Sequence, residues 1–123
     1  MLDASALLAY LLREPGSEKV PAVGGEAAIS AVNLAEAISV LTLRGIPAEA
    51  IRLQMSRTLI DVVAFNEESA ETTGLFIEKT RKLGLSLGDR ACLAAALRAG
   101  ITALTADRAW KGVDVGVPIQ FIR

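Results

Sequence analysis

Histidine is absent from this chain of 123 residues, and cysteine occurs once, at Cys92. A single thiol closes no internal disulfide. Without histidine the usual zinc-ligand spacings cannot be assembled, so any metal site must be built from oxygen ligands. The same absence removes the commonest general acid and base near neutral pH, leaving carboxylates, lysine, tyrosine or metal-bound water for proton chemistry. Cys92 is left without a base to activate it and, set in an apolar helix, reads as a buried, inert side chain. A long apolar run is missing too. Hydrophobic residues make up 52% of the chain, but charges interrupt every stretch before the ~20 residues that span a bilayer. No positively charged leader precedes Asp3, so the expected location is cytoplasmic, with no membrane partner. Nor is there an excess of one charge: 13 Lys plus Arg face 14 Asp plus Glu. That balance is not the footprint of a tight, non-specific nucleic-acid binder, and a polyanionic substrate would need a local attraction such as a bound cation.

What is present is an alternation of short apolar runs and helical periods. The length predicts a single domain over residues 1–123. Residues 1–3 read as a strand and 5–12 as a helix, with Leu7, Leu8, Leu11 and Leu12 at helical spacing before Pro15 and Gly16. A strand over 27–32 leads into a helix opened by Asn33 and stopped by Gly45. Helix 48–58 follows Pro47, and 59–65 reads as a strand capped off by Asn66. A long helix is expected over 67–83 and another from about Gly88 to Ala99, each closed by a glycine. Residues 101–105 form a further strand, 106–111 a short helix or turn, and 117–122 an edge strand, because Pro118 lacks a donor. Strands returning through helices imply a mainly parallel sheet covered on both faces, a three-layer α/β/α sandwich.

Ligands in such sheets collect at the carboxyl ends of the strands. Asp3 follows the first strand and Asp107 the strand over 101–105. Glu36 is expected in the first turn of the helix after the second strand, and Asp89 opens the helix after Gly88. Four carboxylates at one edge with no lysine or arginine between them repel one another, so they call for a compensating cation, and magnesium or manganese is hard and oxygen-seeking. Each acid also has a structural reading. Asp3 fits an N-cap, Asn33 to Glu36 and Ser86 to Asp89 fit capping boxes, and Asp107 fits a turn.

Four blocks carry a resemblance: Leu2-Asp3-Ala4-Ser5-Ala6-Leu7-Leu8; Ile29-Ser30-Ala31-Val32-Asn33-Leu34-Ala35-Glu36; Ser86-Leu87-Gly88-Asp89-Arg90-Ala91-Cys92-Leu93; and Leu104-Thr105-Ala106-Asp107-Arg108-Ala109-Trp110. Together, in order and along essentially the whole chain, they resemble a PIN domain of the VapC toxin type. The resemblance implies a sheet ordered 3-2-1-4-5 and an endoribonuclease dependent on Mg2+ or Mn2+. It also implies a homodimer silenced by a cognate antitoxin. Carried over, the catalytic and metal-binding acids are Asp3, Glu36, Asp89 and Asp107, with Ser5 and Thr105 as supporting hydroxyls and Asn33 orienting the loop before Glu36. Where some relatives carry a further acid beside the fourth, this chain has Arg108 and Lys111, which implies one firmly held ion.

The chemistry so implied is hydrolysis of an RNA phosphodiester by an activated water, leaving 5′-phosphate and 3′-hydroxyl ends. Arg90, Arg108 and Lys111 are candidate phosphate contacts beside the acids, with solvated surface charge as the alternative. Trp110 is expected in the core rather than stacked on a base. The apolar stripes over 34–43 and 51–59 are candidates for a partner surface, with core packing as the alternative. Two other functions remain in view: a non-catalytic partner-binding module on the same fold, and a nuclease of RNA maturation without an antitoxin. A phosphoacceptor signalling domain wants paired acids after the first strand and a dehalogenase-type phosphatase wants Asp-x-Asp, whereas this chain has Asp3-Ala4-Ser5.

Overall fold

A computed structural model of the chain describes residues 1–22 and 24–123. The elements run α1 (Ala4–Leu12), β1 (Ala28–Ser30), α2 (Ala31–Leu43), α3 (Ala48–Ser56), β2 (Asp61–Val63), α4 (Glu67–Leu75), α5 (Ile77–Thr80), α6 (Leu87–Ala99), β3 (Ala103–Thr105) and β4 (Ile119–Phe121). Short 3-10 turns occupy Ser17–Lys19, Arg81–Leu83 and Arg108–Trp110. β1 pairs in parallel with β2, and β3 with β4. Leu2 joins the two pairs by single parallel bridges to Ile29 and Leu104. Counted from that ribbon as the first strand, the order is 3-2-1-4-5, as the resemblance implied, and β4 lies at an edge.

Side chains of successive strand residues point to opposite faces, and the core follows that rule. Leu2, Ile29, Leu104 and Ile122 pack into one apolar layer with Leu7 and Ala37, under α1 and α2. Met1, Ala103 and Phe121 face the other layer, with Cys92, Leu93 and Trp110. The sheet therefore lies between two apolar layers, and the buried alanines of α6 bring that helix close against it.

Several boundaries differ from the sequence expectations. All strands are shorter, three residues each beside the Leu2 ribbon. The second helix starts at Ala31, because Ser30 rather than Asn33 accepts the capping bond, from Val32 N at 3.2 Å. Asn33 thus lies inside the first turn, fully buried, and Glu36 in the second turn rather than the first. The helix expected over 67–83 is broken at Phe76. Phe76 O receives Lys79 N, Thr80 N and the Thr80 hydroxyl, and so opens α5 as its N-cap. Gly74 just upstream adds little helical preference of its own. Pro47 caps α3 from outside instead of occupying its first position, and α3 ends at Ser56.

Candidate active site

Asp3 leaves the central ribbon at its carboxyl end and caps α1. Its residue is 3% exposed, and a charge in that position survives only if its oxygens are bonded. They are. Oδ1 accepts Ala6 N at 2.7 Å and the Ser5 hydroxyl at 2.7 Å, and Oδ2 accepts the Thr105 hydroxyl at 2.6 Å. Ser5 Oγ in turn accepts Ala106 N at 2.8 Å, and Thr105 Oγ1 accepts Asp107 N at 2.9 Å. The two hydroxyls therefore link the Asp3 carboxylate to the backbone that carries Asp107. Asp107 itself is exposed, and its Oδ1 caps the following 3-10 turn through Ala109 N at 2.8 Å.

Asp89 stands in the first turn of α6 within a complete capping box: Ser86 N donates to Asp89 Oδ2 at 2.8 Å, and Asp89 N donates to Ser86 Oγ at 3.1 Å. The capping reading of Ser86 and Asp89 is thus correct, and it engages one carboxylate oxygen. Glu36 reaches from α2 toward the same turn, where a Cβ on Gly88 would stand 2.6 Å from Glu36 Oε2. The carboxylate occupies space that exists because residue 88 has no side chain. Nothing in the sequence pattern singled out Gly88; its only signal is a glycine directly ahead of an acid at a helix start.

The electrostatics tie three of the acids together. Burial pushes the Asp3 carboxyl above its ordinary value, against the lowering effect of the Thr105, Ala6 and Ser5 hydrogen bonds, and the charge of Asp89 adds to the rise. Burial also raises Glu36, followed by repulsion from Asp89 and Asp3. Burial drives the Cys92 thiol well up, with Asp3 and Asp89 contributing, so it is protonated at neutral pH. Among the described residues the ion pairs are made by Glu14 and Glu68, and none of the four acids has a lysine or arginine partner.

The basic residues near the acids face elsewhere or outward. Arg90 Nη1 donates to Thr73 O at 2.9 Å, tying α6 to α4. The Arg108 guanidinium lies 5.2 Å from the centre of the Phe121 ring, and Lys111 is exposed. Trp110 is in the core, 1% exposed. Asn33 lies within α2, and its Nδ2 donates to Gly88 O at 3.0 Å, from one helix to the next. A crevice of about 430 Å³ lined by Tyr10, Arg13, Gln54 and Arg57 opens at the far end of α1 and shares no residue with the acids.

A hard divalent cation fits this donor set in kind, since every available ligand is oxygen and the carboxylates lack counter-charges. Among the described residues, however, no three acidic or cysteine side chains are gathered closely enough to hold one ion. A cation here would be held by fewer carboxylates, with water or phosphate oxygens completing its shell, as magnesium commonly is.

The PIN-domain family model matches residues 1–116. No curated protein sequence matches the chain. Among solved structures, a toxin–antitoxin complex from Klebsiella pneumoniae aligns with a TM-score of 0.72 at 16% identity, over 99% of this chain and 96% of that one. A crystal structure of DNA-bound VapBC from Salmonella typhimurium aligns with a TM-score of 0.74 at 17% identity, over 100% and 97%. At these identities the likeness is one of fold.

Proposed function

The chain belongs to the PIN-domain family, and from that premise we propose that it is a divalent-metal-dependent endoribonuclease and the toxin of a toxin–antitoxin pair. The observation that carries the reading is that Asp3, Glu36 and Asp89 lie close enough for their charges to repel, without a basic partner among the described residues. Such an arrangement is costly in the empty protein and favourable once a cation is bound.

In this proposal the protein ligands of the cation would be drawn from Asp3, Asp89, Glu36 and Asp107, with water and phosphate oxygens completing its shell. Bound there, Mg2+ or Mn2+ supplies charge neutralisation for the phosphodiester and acidifies the attacking water. Asp3 is the anchored ligand, kept in one orientation by Ser5 and Thr105. Glu36, exposed and without a hydrogen bond among the described residues, orients the attacking water or joins the ligands. Arg108 and Lys111 are the side chains available to RNA phosphates, whereas Arg90 is committed to Thr73 and acts in packing.

An antitoxin and a second copy of the chain are the proposed protein partners. Leu43 and Leu59 are 88% and 59% exposed, and Ile38 and Leu53 add to the apolar surface of α2 and α3. No described helix is long and apolar enough to cross a membrane.

The test is cleavage of total RNA by the purified chain. Cuts bearing 5′-phosphates in Mg2+, abolished by EDTA, are expected; cleavage that persists in EDTA overturns the proposal. Light scattering at micromolar concentration checks the dimer, and a pure monomer removes it.

A further inference from the structure

Asn33 is 0% exposed, yet only half of its amide is used. Nδ2 donates to Gly88 O at 3.0 Å across the α2–α6 contact, while the equally buried Oδ1 has no partner among the described residues. A buried carbonyl left unpaired costs free energy that a leucine of similar volume would avoid. Packing alone is therefore a poor account of an asparagine here.

The position of its one bond gives a better account. Asn33 lies three residues before Glu36 on α2, so the two share a face of that helix. Gly88 immediately precedes Asp89 in the first turn of α6. One side chain thus ties the two helices together at the level of two acids that repel each other. Gly88 makes the approach possible: a Cβ there would meet Glu36 Oε2 at 2.6 Å but Asn33 Nδ2 at an ordinary 3.6 Å.

We propose that Asn33 is a positioning residue that, through Gly88 O, sets how closely the helix turns carrying Glu36 and Asp89 approach before a cation arrives, and thereby sets the affinity of the site for a divalent ion. The inference rests on the metal-site reading above. A packing role and a positioning role differ in what a substitution moves: the first changes stability, the second changes cation affinity at unchanged stability.

The experiment compares the unmodified chain with Asn33→Leu, measuring Mn2+ affinity by calorimetry, the spin-resonance signal of bound Mn2+, and thermal unfolding without metal. The expected result is an unfolding temperature that holds or rises, with Mn2+ bound about 10- to 100-fold more weakly, the range for losing a group that orients metal ligands. Equal affinity in both chains overturns this inference while leaving the metal site intact. No Mn2+ uptake by the unmodified chain overturns both. Should Asn33→Leu fail to fold, Asn33→Ala, which only removes atoms, gives the same affinity comparison with the same two readings.

Discussion

Asp3 and Glu36 sit on the same sheet edge but are held by different means. The Asp3 carboxylate receives Ser5, Ala6 and Thr105, and through the two hydroxyls it is coupled to the backbone on both sides of Ala106. Glu36 is only partly covered, and its carboxylate gains no hydrogen bond among the described residues; its place is set by α2, by the space over Gly88 and by repulsion from Asp89 and Asp3. One half of the edge is therefore rigid before any cation binds, and the other is adjustable. In the proposed metal site the bonded, buried carboxylate would fix where an ion sits, while the unbonded one could follow changes at a reacting phosphate.

The sharpest way to break that contrast is at the rigid half. Asp3→Asn removes the anchored charge but keeps a side chain that can cap α1. RNA cleavage should fall by more than the ~10- to 100-fold typical of residues that merely orient ligands. The metal-free protein should unfold at the same or a higher temperature, because burial penalises the ionised carboxylate it replaces. An Asp3→Asn chain that still cuts RNA at full rate would contradict the role given to this residue.

Thr105→Val tests the wiring rather than the charge. It deletes the hydroxyl that bonds Asp3 Oδ2 and accepts Asp107 N, in a residue with 0% exposure. Loss of about 1–3 kcal/mol of stability is expected, from partners left unpaired, together with a Mn2+ affinity lowered about 10-fold or more. Denaturant unfolding and calorimetry read the two effects separately.

The pH dependence distinguishes the empty from the occupied site. In the folded protein Asp3 and Glu36 lie above their ordinary values of 3.8 and 4.5. A raised carboxyl means that the folded state holds its proton more tightly than the unfolded chain. This contribution to stability is fully present below those ordinary values and is lost as pH climbs through the folded ones. Thermal unfolding in EDTA should therefore show a declining contribution over that window. Saturating Mn2+ should offset the decline, since the cation binds the ionised forms, and its affinity should rise with pH over the same interval.

The smallest effect is expected at the adjustable half. Gly88→Ala places a Cβ 2.6 Å from the present position of Glu36 Oε2. The atom in the way is the end of a flexible side chain, so the protein should fold with stability within about 1 kcal/mol of the original, aided by the better helical preference of alanine. Only the Glu36 carboxylate should shift, visible in a crystal structure. An unmoved Glu36 would show that the space over Gly88 does not position it.

How much of this was legible beforehand varies from residue to residue. The capping box of Ser86 and Asp89 and the N-cap at Asp3 were legible because capping acts within four residues along the chain. The edge position of β4 followed from Pro118. The start of α2 is not legible, because Ser30 and Asn33 are both good caps and only packing buries the second and leaves the first to cap. The break at Phe76, where one carbonyl receives several donors, is not registered by helical periodicity.

Alternating strand and helix, oxygen as the only ligand chemistry, and the location of each acid near a strand end or helix start were decided by the order of residues alone, since periodicity, capping and composition are local or additive properties. Which acids feel one another, that Arg90 turns to α4 instead of to the acids, and that Asn33 and Gly88 join two helices beside the carboxylates were decided only by tertiary structure. Coulombic coupling and burial depend on distances through space, and those are set by how α2 and α6 pack on the sheet.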